Sequence, residues 1–271
     1  MKERSLKDLF YLVKQVLPDT QELITFHPGT PVADALGVMC KNNLSQVPVL
    51  AGTDVIGVFS YRSLAQGMIK LPRNEQSLLS LHVEEFLEDL RFAQITDELT
   101  ALIEEFNLKD AVLVGSENRL QGIVTTIDTL KYFYRVASPY VMLREIELAI
   151  RELIRSSVDS KTLQMCIDIS LKEYYEHSEE SAPRCLEGMT FHDYVMLLRF
   201  KGTWEKFAPA FGESPNLVYA KLKPLHELRN IVFHFKREIT IEEYDSIRFV
   251  RDWLLKRIKK IEAIGKIGQN E

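Results

Sequence analysis

Cysteine is scarce in this 271-residue chain. The three present, Cys40, Cys166 and Cys185, are an odd number without close pairing. That disfavours a disulfide framework and a cysteine-based zinc site, and it fits a reducing cytoplasm. Glycine and proline, at 12 and 10 residues, are too few for a fibrous or linker-rich chain. No apolar run approaches the ~20 residues needed to span a bilayer, so no membrane partner is expected. The opening MKERSLKDLFYLVKQVL is amphipathic and carries Glu3 and Asp8, without the unbroken apolar core of a secretory signal. Excess positive charge is also missing. A net charge of −5 excludes a protein that coats nucleic acid by bulk charge. What remains is ordinary globular composition: 46% apolar, 27% charged and 10% aromatic. At roughly 100–200 residues per domain, the length allows one large domain or two ordinary ones.

Two unlike halves are expected. Residues 1–138 read as mixed helix and short strand, and residues 139–271 as almost wholly helical, an α+β chain overall. From Arg144 onwards acidic and basic residues balance, so the net negative charge lies in the first half. The boundary is placed at Ser138-Pro139, because proline disfavours helical geometry before it and cannot donate to a continuing helix.

The first half contains an internal repeat. Leu44–Gln66 (LSQVPVLAGTDVIGVFSYRSLAQ) aligns with Leu108–Tyr132 (LKDAVLVGSENRLQGIVTTIDTLKY). Leu44 matches Leu108 and Val49 matches Leu113 at an offset of 64. After one inserted residue, Gly57 matches Gly122, Ser60 matches Thr125 and Ser63 matches Asp128 at an offset of 65. An amphipathic segment precedes each copy, PVADALGVMCKNN and DELTALIEEFN, and turn formers (AGTD, GSENR) divide each apolar pair. Each unit therefore reads helix, strand, turn, strand, helix. Each is too small for a good core alone, so the two are expected to bury their sheets together.

These residues resemble the CBS domain, and two copies resemble a CBS pair, or Bateman module, built of small mixed sheets with helices. The resemblance rests on Pro48-Val49 and Gly57-Val58-Phe59-Ser60 in the first copy. In the second it rests on Val112-Leu113-Val114 and on Gly122 to Asp128 (GIVTTID). It implies an adenine nucleotide (AMP, ADP or ATP) as regulatory ligand. Gly122 allows close backbone approach, and Thr125 and nearby N–H groups at a helix start can meet phosphate. The resemblance gives Asp128 the two ribose hydroxyls. The plainer reading makes Thr125 an N-cap and Asp128 a first-turn stabiliser, and both can hold together. In the first copy Ser60 keeps a hydroxyl, but Ser63 stands where the ribose-binding acid belongs, so that site is expected to be empty or weak. Arg62 and Lys131 lie beside the two sites, as phosphate contacts or as solvated surface charges.

The second half reads as a series of amphipathic helices. In MLREIELAIRELIRSSV (142–158) the apolar residues recur at helical spacing, and Glu147 and Arg151 can pair at i,i+4. Further helices are expected over Lys161–His177, over 189–208 with a break at Gly202, and over 217–235 despite Pro224. The stretches 177–184 and 212–216 read as loop and turn. Thr240 and Glu243 form a capping box for a last helix. That helix bears Arg248, Arg251, Lys256, Arg257, Lys259 and Lys260 beside an apolar face at 249, 250, 253, 254 and 258.

Within this half, Arg229 and His234 enclose four residues, Asn230 and three apolar ones. The pattern resembles the Arg-x4–6-His motif of HEPN domains, all-α bundles that often act as metal-independent ribonucleases. The resemblance implies a homodimer with RNA as substrate and Arg229, His234 and Asn230 at the cleft. The chemistry suits those residue types. Attack by a ribose 2′-hydroxyl on its own phosphate needs a base, which a histidine can supply. Arginine offsets the charge gathered in the transition state. No catalytic cofactor and no metal is called for. Five residues along an ideal helix turn about 140° past a full revolution, so one helix face cannot present both side chains. Either the helix ends between them or two chains assemble the site. Arg229 could instead be a structural partner of Glu227 or Glu147, and His234 a residue favoured at a helix C-terminus. His226, two turns before His234, could border the cleft. His192 follows a helix start, and His27, His82 and His177 read as ordinary surface or core residues. The basic stripe of the last helix is either an RNA backbone contact or a solvated face.

Taken together, these expectations describe a sensor-effector. A nucleotide-binding CBS pair governs a HEPN dimer that cuts RNA, a combination suited to stress response or phage defence. The alternative is a non-catalytic regulator whose helical bundle only dimerises or binds RNA or a partner.

Overall fold

The computed structural model describes residues 11–17, 22–70, 78–177, 181–212 and 214–267. The first ten residues of the amphipathic opening, 178–180 of the expected loop and Glu213 of the expected turn lie outside the described residues. Contacts divide the chain into two units, Met1–Tyr134 and Arg135–Glu271.

The first unit is a duplicated helix-hairpin-helix. In the first copy, α2 (Val32–Asn42) leads into β1 (Gln46–Ala51), β2 (Asp54–Ser60) and α3 (Tyr61–Lys70). In the second, α4 (Ile103–Lys109) leads into β5 (Ala111–Ser116), β6 (Arg119–Thr125) and α5 (Thr126–Arg155). Both leading helices stop on a left-handed residue, Asn43 at φ 54° and Asp110 at φ 63°. Such residues end helices because their short polar side chains tolerate that conformation.

The hairpins correct the sequence alignment. Gln46 pairs with Ser60 and Val49 with Gly57, while Ala111 pairs with Thr125 and Val114 with Gly122. The offset is therefore 65 along both strands, and Val49 corresponds to Val114, not Leu113. No residue is inserted in the hairpin. The length difference lies before it, where Leu44-Ser45 separates Asn43 from β1 and nothing separates Asp110 from β5. The register shifts at one place in both, between Val49 and Leu50 and between Val114 and Gly115.

A third strand completes each sheet. β3 (Leu87–Glu88) runs antiparallel to β2, and β4 (Phe92–Ala93) runs parallel to β5. The first copy has the parallel partner too, as the bridge between Phe26 and Val49. The second copy borrows its outer cover from earlier in the chain. Leu12 bridges Glu98 as His82 bridges Pro31, and α1 (Val13–Val16) follows Leu12 as the 3-10 turn Val83–Phe86 follows His82. Val13 and Val16 are accordingly buried with Leu99, Leu102, Phe106, Val112, Val114 and Val124. The matching cluster of the first copy holds Val83 and Phe86 with Phe26, Val32, Met39 and Phe59. Val58, Leu90, Ala111 and Leu113 pack the two sheets together, as the repeat required.

The second unit is helical. After α5 come α6 (Ser160–Ser170), α7 (Lys172–Glu176), α8 (Phe191–Arg199), α9 (Trp204–Phe211), α10 (Pro215–Phe233) and α11 (Ile241–Ile267). The apolar stripe Leu143, Ile146, Ala149, Ile150, Leu153 and Ile154 is buried against Tyr194, Leu197, Phe207, Phe211, Leu222, Leu225, Ile247 and Leu254. Pro139 does not end a helix: α5 runs through it. The ring removes the donor that would serve the Arg135 carbonyl, and the Ser138 hydroxyl donates to that carbonyl instead at 3.4 Å. The helix expected over Lys161–His177 is two, divided at Leu171, whose φ and ψ of −106° and 0° leave the α region. The break near Gly202 and the continuity of α10 through Pro224 are as expected. The cap of α11 also forms. The Thr240 N–H donates to Glu243 Oε2 at 2.8 Å and the Glu243 N–H to Thr240 Oγ1 at 3.3 Å. The Arg237 guanidinium, gripping both Glu243 oxygens at 2.7 and 2.6 Å, holds that carboxyl down at about 2.

The bulge in β5 depends on Gly115, at φ 113°. A Cβ there would lie 2.3 Å from the Arg119 carbonyl oxygen, a backbone atom that cannot swing away. Gly52, at φ 69° in the first hairpin turn, has open space around it. Gly115→Ala is expected to cost more than the 1–2 kcal/mol of left-handed strain alone, and Gly52→Ala about that much. Urea denaturation of the two variants measures the difference, and equal losses would contradict the close-approach argument.

Candidate functional site

The junction of β6 and α5 carries the residues singled out in the second repeat. The Thr125 N–H and hydroxyl both donate to Asp128 Oδ2, at 3.0 and 2.6 Å, and the Asp128 N–H donates back to Thr125 Oγ1 at 3.2 Å. The capping role of the pair is thus realised. Asp128 is half-buried, and its Oδ1 accepts no hydrogen bond among the described residues. One carboxylate oxygen is free to take a hydroxyl, and the second can do so by releasing Thr125. Gly122 is buried in β6 opposite Val114.

The first repeat builds the same corner differently. Ser63 caps Ser60, accepting from its N–H at 2.9 Å and donating to its carbonyl at 3.0 Å. The Ser60 hydroxyl donates to the carboxylate of Glu88, which is buried and takes Lys109 Nζ on its other oxygen at 3.0 Å. The hydroxyl that matches Thr125 is therefore occupied by an internal acid. Arg62 is engaged as well, donating to Asp110 Oδ2 and to the Leu108 carbonyl, each at 2.5 Å. Lys131 is exposed.

In the helical unit, two arginines meet one carboxylate. Glu147 of α5 takes Arg151 Nη2 on Oε1 at 2.5 Å, and its Oε2 lies 3.5 Å from Arg229 Nε of α10. The second contact is an ion pair without hydrogen-bond alignment, and the buried Nε–H of Arg229 is left without an acceptor among the described residues. Its guanidinium lies 5.0 Å over the Phe233 ring. Arg151 Nε donates to the Tyr194 hydroxyl at 2.7 Å, which donates to the Leu186 carbonyl at 2.5 Å. Burial pushes the Tyr194 phenol up. Burial opposes the Arg151 charge, but the Tyr194 hydroxyl and then Glu147 and Glu187 outweigh it and raise the guanidinium.

α10 ends at Phe233, between Arg229 and His234. His234 is the residue after the helix, exposed, and its side chain has no hydrogen bond or ion pair among the described residues. Asn230 is half-buried, and its carbonyl accepts the His234 N–H at 3.2 Å. Arg229 is paired with Glu147 and not with Glu227, and the structure forms no bond between Arg229 and His234. His226 is packed against His192 of α8, with ring centroids 5.4 Å apart, and Tyr174 lies 5.3 Å beyond His192. Burial, then His192 and Arg229, hold His226 below the usual histidine range, with Glu227 opposing.

Sequence reasoning missed Tyr194 and Tyr174. Tyr194 sits at core spacing on α8 and is fully buried, so no pattern separates it from a packing residue. The basic helix α11 is partly spent on its neighbours: Arg251 pairs with Glu145 and Asp252, and Arg248 with Asp245. Phe249, expected on its apolar face, is 61% exposed and lies 5.1 Å beneath the Lys221 ammonium. Among the described residues no three or more His, Cys, Asp or Glu side chains come together as a metal site. No helix among them is long and apolar enough to cross a membrane.

Comparison with known proteins bears on the first unit. The CBS domain family model matches residues 13–70, so this stretch is a CBS domain. The chain is also similar to solved structures over a little under half its length. One is a CBS-domain-containing protein from Agrobacterium tumefaciens, 22% identical over 44% of this chain and 96% of that one, with a TM-score of 0.39. A CBS domain-containing protein of unknown function from Bacillus anthracis is 24% identical over 47% and 96%, at 0.40. CBSX2, solved in complex with AMP, is 19% identical over 46% and 98%, at 0.39. No curated protein matches.

The Tyr194 hydroxyl links Arg151 to the backbone before α8. Tyr194→Phe is expected to cost 1–3 kcal/mol, since it leaves a partly buried guanidinium N–H and a carbonyl unserved. Thermal and urea unfolding measure this, and a variant as stable as the parent would show that water replaces the hydroxyl.

Proposed function

We propose that this chain is an adenine-nucleotide-responsive regulator whose helical unit is a HEPN-like, metal-independent endoribonuclease. The observation that carries the sensing half is the Asp128 carboxylate. It stands at a strand–helix junction, tied to Thr125 through one oxygen and, among the described residues, free on the other. A ribose hydroxyl is a donor that fits the free oxygen, and the first N–H groups of α5 with the Thr125 hydroxyl suit phosphate. In the first repeat Glu88 already holds the Ser60 hydroxyl and Ser63 replaces the acid, so one nucleotide per chain is the expected stoichiometry.

The ribonuclease half is supported by Arg229. Its Nε faces Glu147, while its side chain is 34% exposed and its terminal nitrogens make no hydrogen bond among the described residues, which leaves them open to a phosphate oxygen. In this reading Arg229 binds the scissile phosphate, His234 transfers a proton and Asn230 positions the phosphate. The products are a 2′,3′-cyclic phosphate and a 5′-hydroxyl. A homodimer would bring two such helix ends to one cleft. A cytoplasmic role in stress response or phage defence accords with this reading. The second reading, a bundle that binds RNA or a partner without chemistry, is favoured by one observation: Glu147 already neutralises Arg229.

Calorimetric titration with AMP, ADP and ATP tests the sensor. Asp128→Ala is expected to weaken binding by about 1.5–3 kcal/mol, the range for a hydrogen bond to a charged group, and Ser63→Ala to change little. Equal affinities for parent and Asp128→Ala would overturn the site.

Incubation with total RNA in EDTA, with and without nucleotide, tests the effector. Arg229→Ala and His234→Ala are each expected to lower cleavage, the histidine variant by about 10²–10⁴-fold. Cleavage that survives in both, or that chelation abolishes, overturns this mechanism, and RNA binding without cleavage supports the second reading.

A further inference from the structure

We propose that His226 is the general base of this cleavage, taking the ribose 2′-hydroxyl proton while Arg229, one turn further along α10, holds the phosphate. The inference rests on the ribonuclease reading and assigns a role that the Arg-x4-His pair leaves unfilled. One histidine can take the proton from the nucleophile, but the leaving 5′-oxygen needs a proton from a second group on the far side of the phosphorus.

The placement of these residues on α10 accords with that division. His226 and Arg229 are i,i+3 on α10, so their side chains are neighbours about 5–6 Å apart at Cβ. His234 lies past the end of the helix, on the other side of Arg229 along the chain. This order along the chain, histidine, arginine, histidine, would suit a phosphate with its attacking oxygen on one side and its leaving oxygen on the other. The His226 ring is also oriented, being half-buried and packed at 59° on the His192 ring, which Tyr174 backs in turn. His234 has no such support.

The charges around His226 favour the form a base needs. His192 faces it from α8, with Tyr174 of α7 behind, and Arg229 and Glu227 flank it on α10. Glu147 of α5 meets Arg229. Burial comes first, then His192 and Arg229, and all three favour the neutral imidazole, while Glu227 opposes them. A neutral imidazole has a lone pair to accept with. The 2′-hydroxyl proton passes to His226, and the 2′-oxygen bonds to phosphorus. The bond from phosphorus to the 5′-oxygen breaks, and that oxygen leaves with a proton from His234. Solvent then exchanges protons with both imidazoles.

The test is single-turnover cleavage of a defined RNA in EDTA from pH 4.5 to 8. It compares the parent with His226→Gln, His192→Phe and His234→Ala, each checked for its fold by circular dichroism and for RNA binding. The parent is expected to show an acid limb below 6.5, the ordinary histidine value. His226→Gln should slow cleavage by about 10²–10⁴-fold, flatten that limb and keep RNA binding. His192→Phe should move the limb to higher pH, since a neighbour that disfavours protonation is gone. A role in packing alone would not move it. If His226→Gln does not fold, the His192→Phe profile decides, and an unmoved limb overturns the proposal. Parent-like rate and profile in His226→Gln, with His234→Ala inactive, would also overturn it and leave the ribonuclease reading intact. A parent that cuts no RNA overturns the ribonuclease reading itself.

Discussion

The helical unit is organised around one carboxylate. Glu147 projects from α5 between two guanidinium groups, Arg151 on its own helix and Arg229 on α10. Its side chain is about four-fifths buried, with 19% exposed, so the charge has little water to fall back on. Removing either arginine changes the surroundings of the other, because a largely buried carboxylate must find its partners within the protein. The same constraint orients Tyr194, whose hydroxyl accepts from Arg151 and donates to the Leu186 carbonyl. Packing of α5, α8 and α10 and the electrostatics of the Arg-x4-His segment are therefore one problem.

The first unit solves a different problem, that of covering two small sheets. Each hairpin is three strands wide only because a short neighbour adds to it, and each needs an outer turn to bury its helix. The corners where strand passes into helix are closed locally. In the second repeat an aspartate and a threonine cap each other, and in the first two serines do so with Glu88 drawn in. One substitution between equivalent positions, acid for hydroxyl, thus changes what the corner has left to offer a ligand.

Much of this was legible in the sequence because it rested on periodicity. The repeat, the hairpins, the helical stripe of α5, the capping box of α11 and the Glu147–Arg151 pair all follow from spacing. The alignment slipped by one residue because an apolar strand looks the same at either register, and only the cross-strand partners of Val49 and Val114 separate the two. Pro139 misled because the effect of proline depends on who serves the orphaned carbonyl, and here the preceding serine does. The surroundings of Arg229 were half legible. Glu147 was a named candidate partner, but the stacked His192, His226 and Tyr174 come from three helices, and no linear spacing links them. Glu88 was invisible for the same reason: it reaches Ser60 from another strand.

The borrowed cover of the second repeat shapes how this unit can form. Val13 and Val16 seal a core whose other walls, Leu99 to Val124, come much later in the chain. The first repeat takes Val83 and Phe86 from the segment just after its own α3, a far shorter loop to close. Closing the longer loop has the larger entropic cost, and contacts distant in sequence slow folding. During synthesis the segment Tyr11–Val16 must wait, apolar side unsatisfied, until the second hairpin has emerged. The duplication is thus symmetric in space but not in time: the first repeat can settle as it appears, and the second closes only by reaching back.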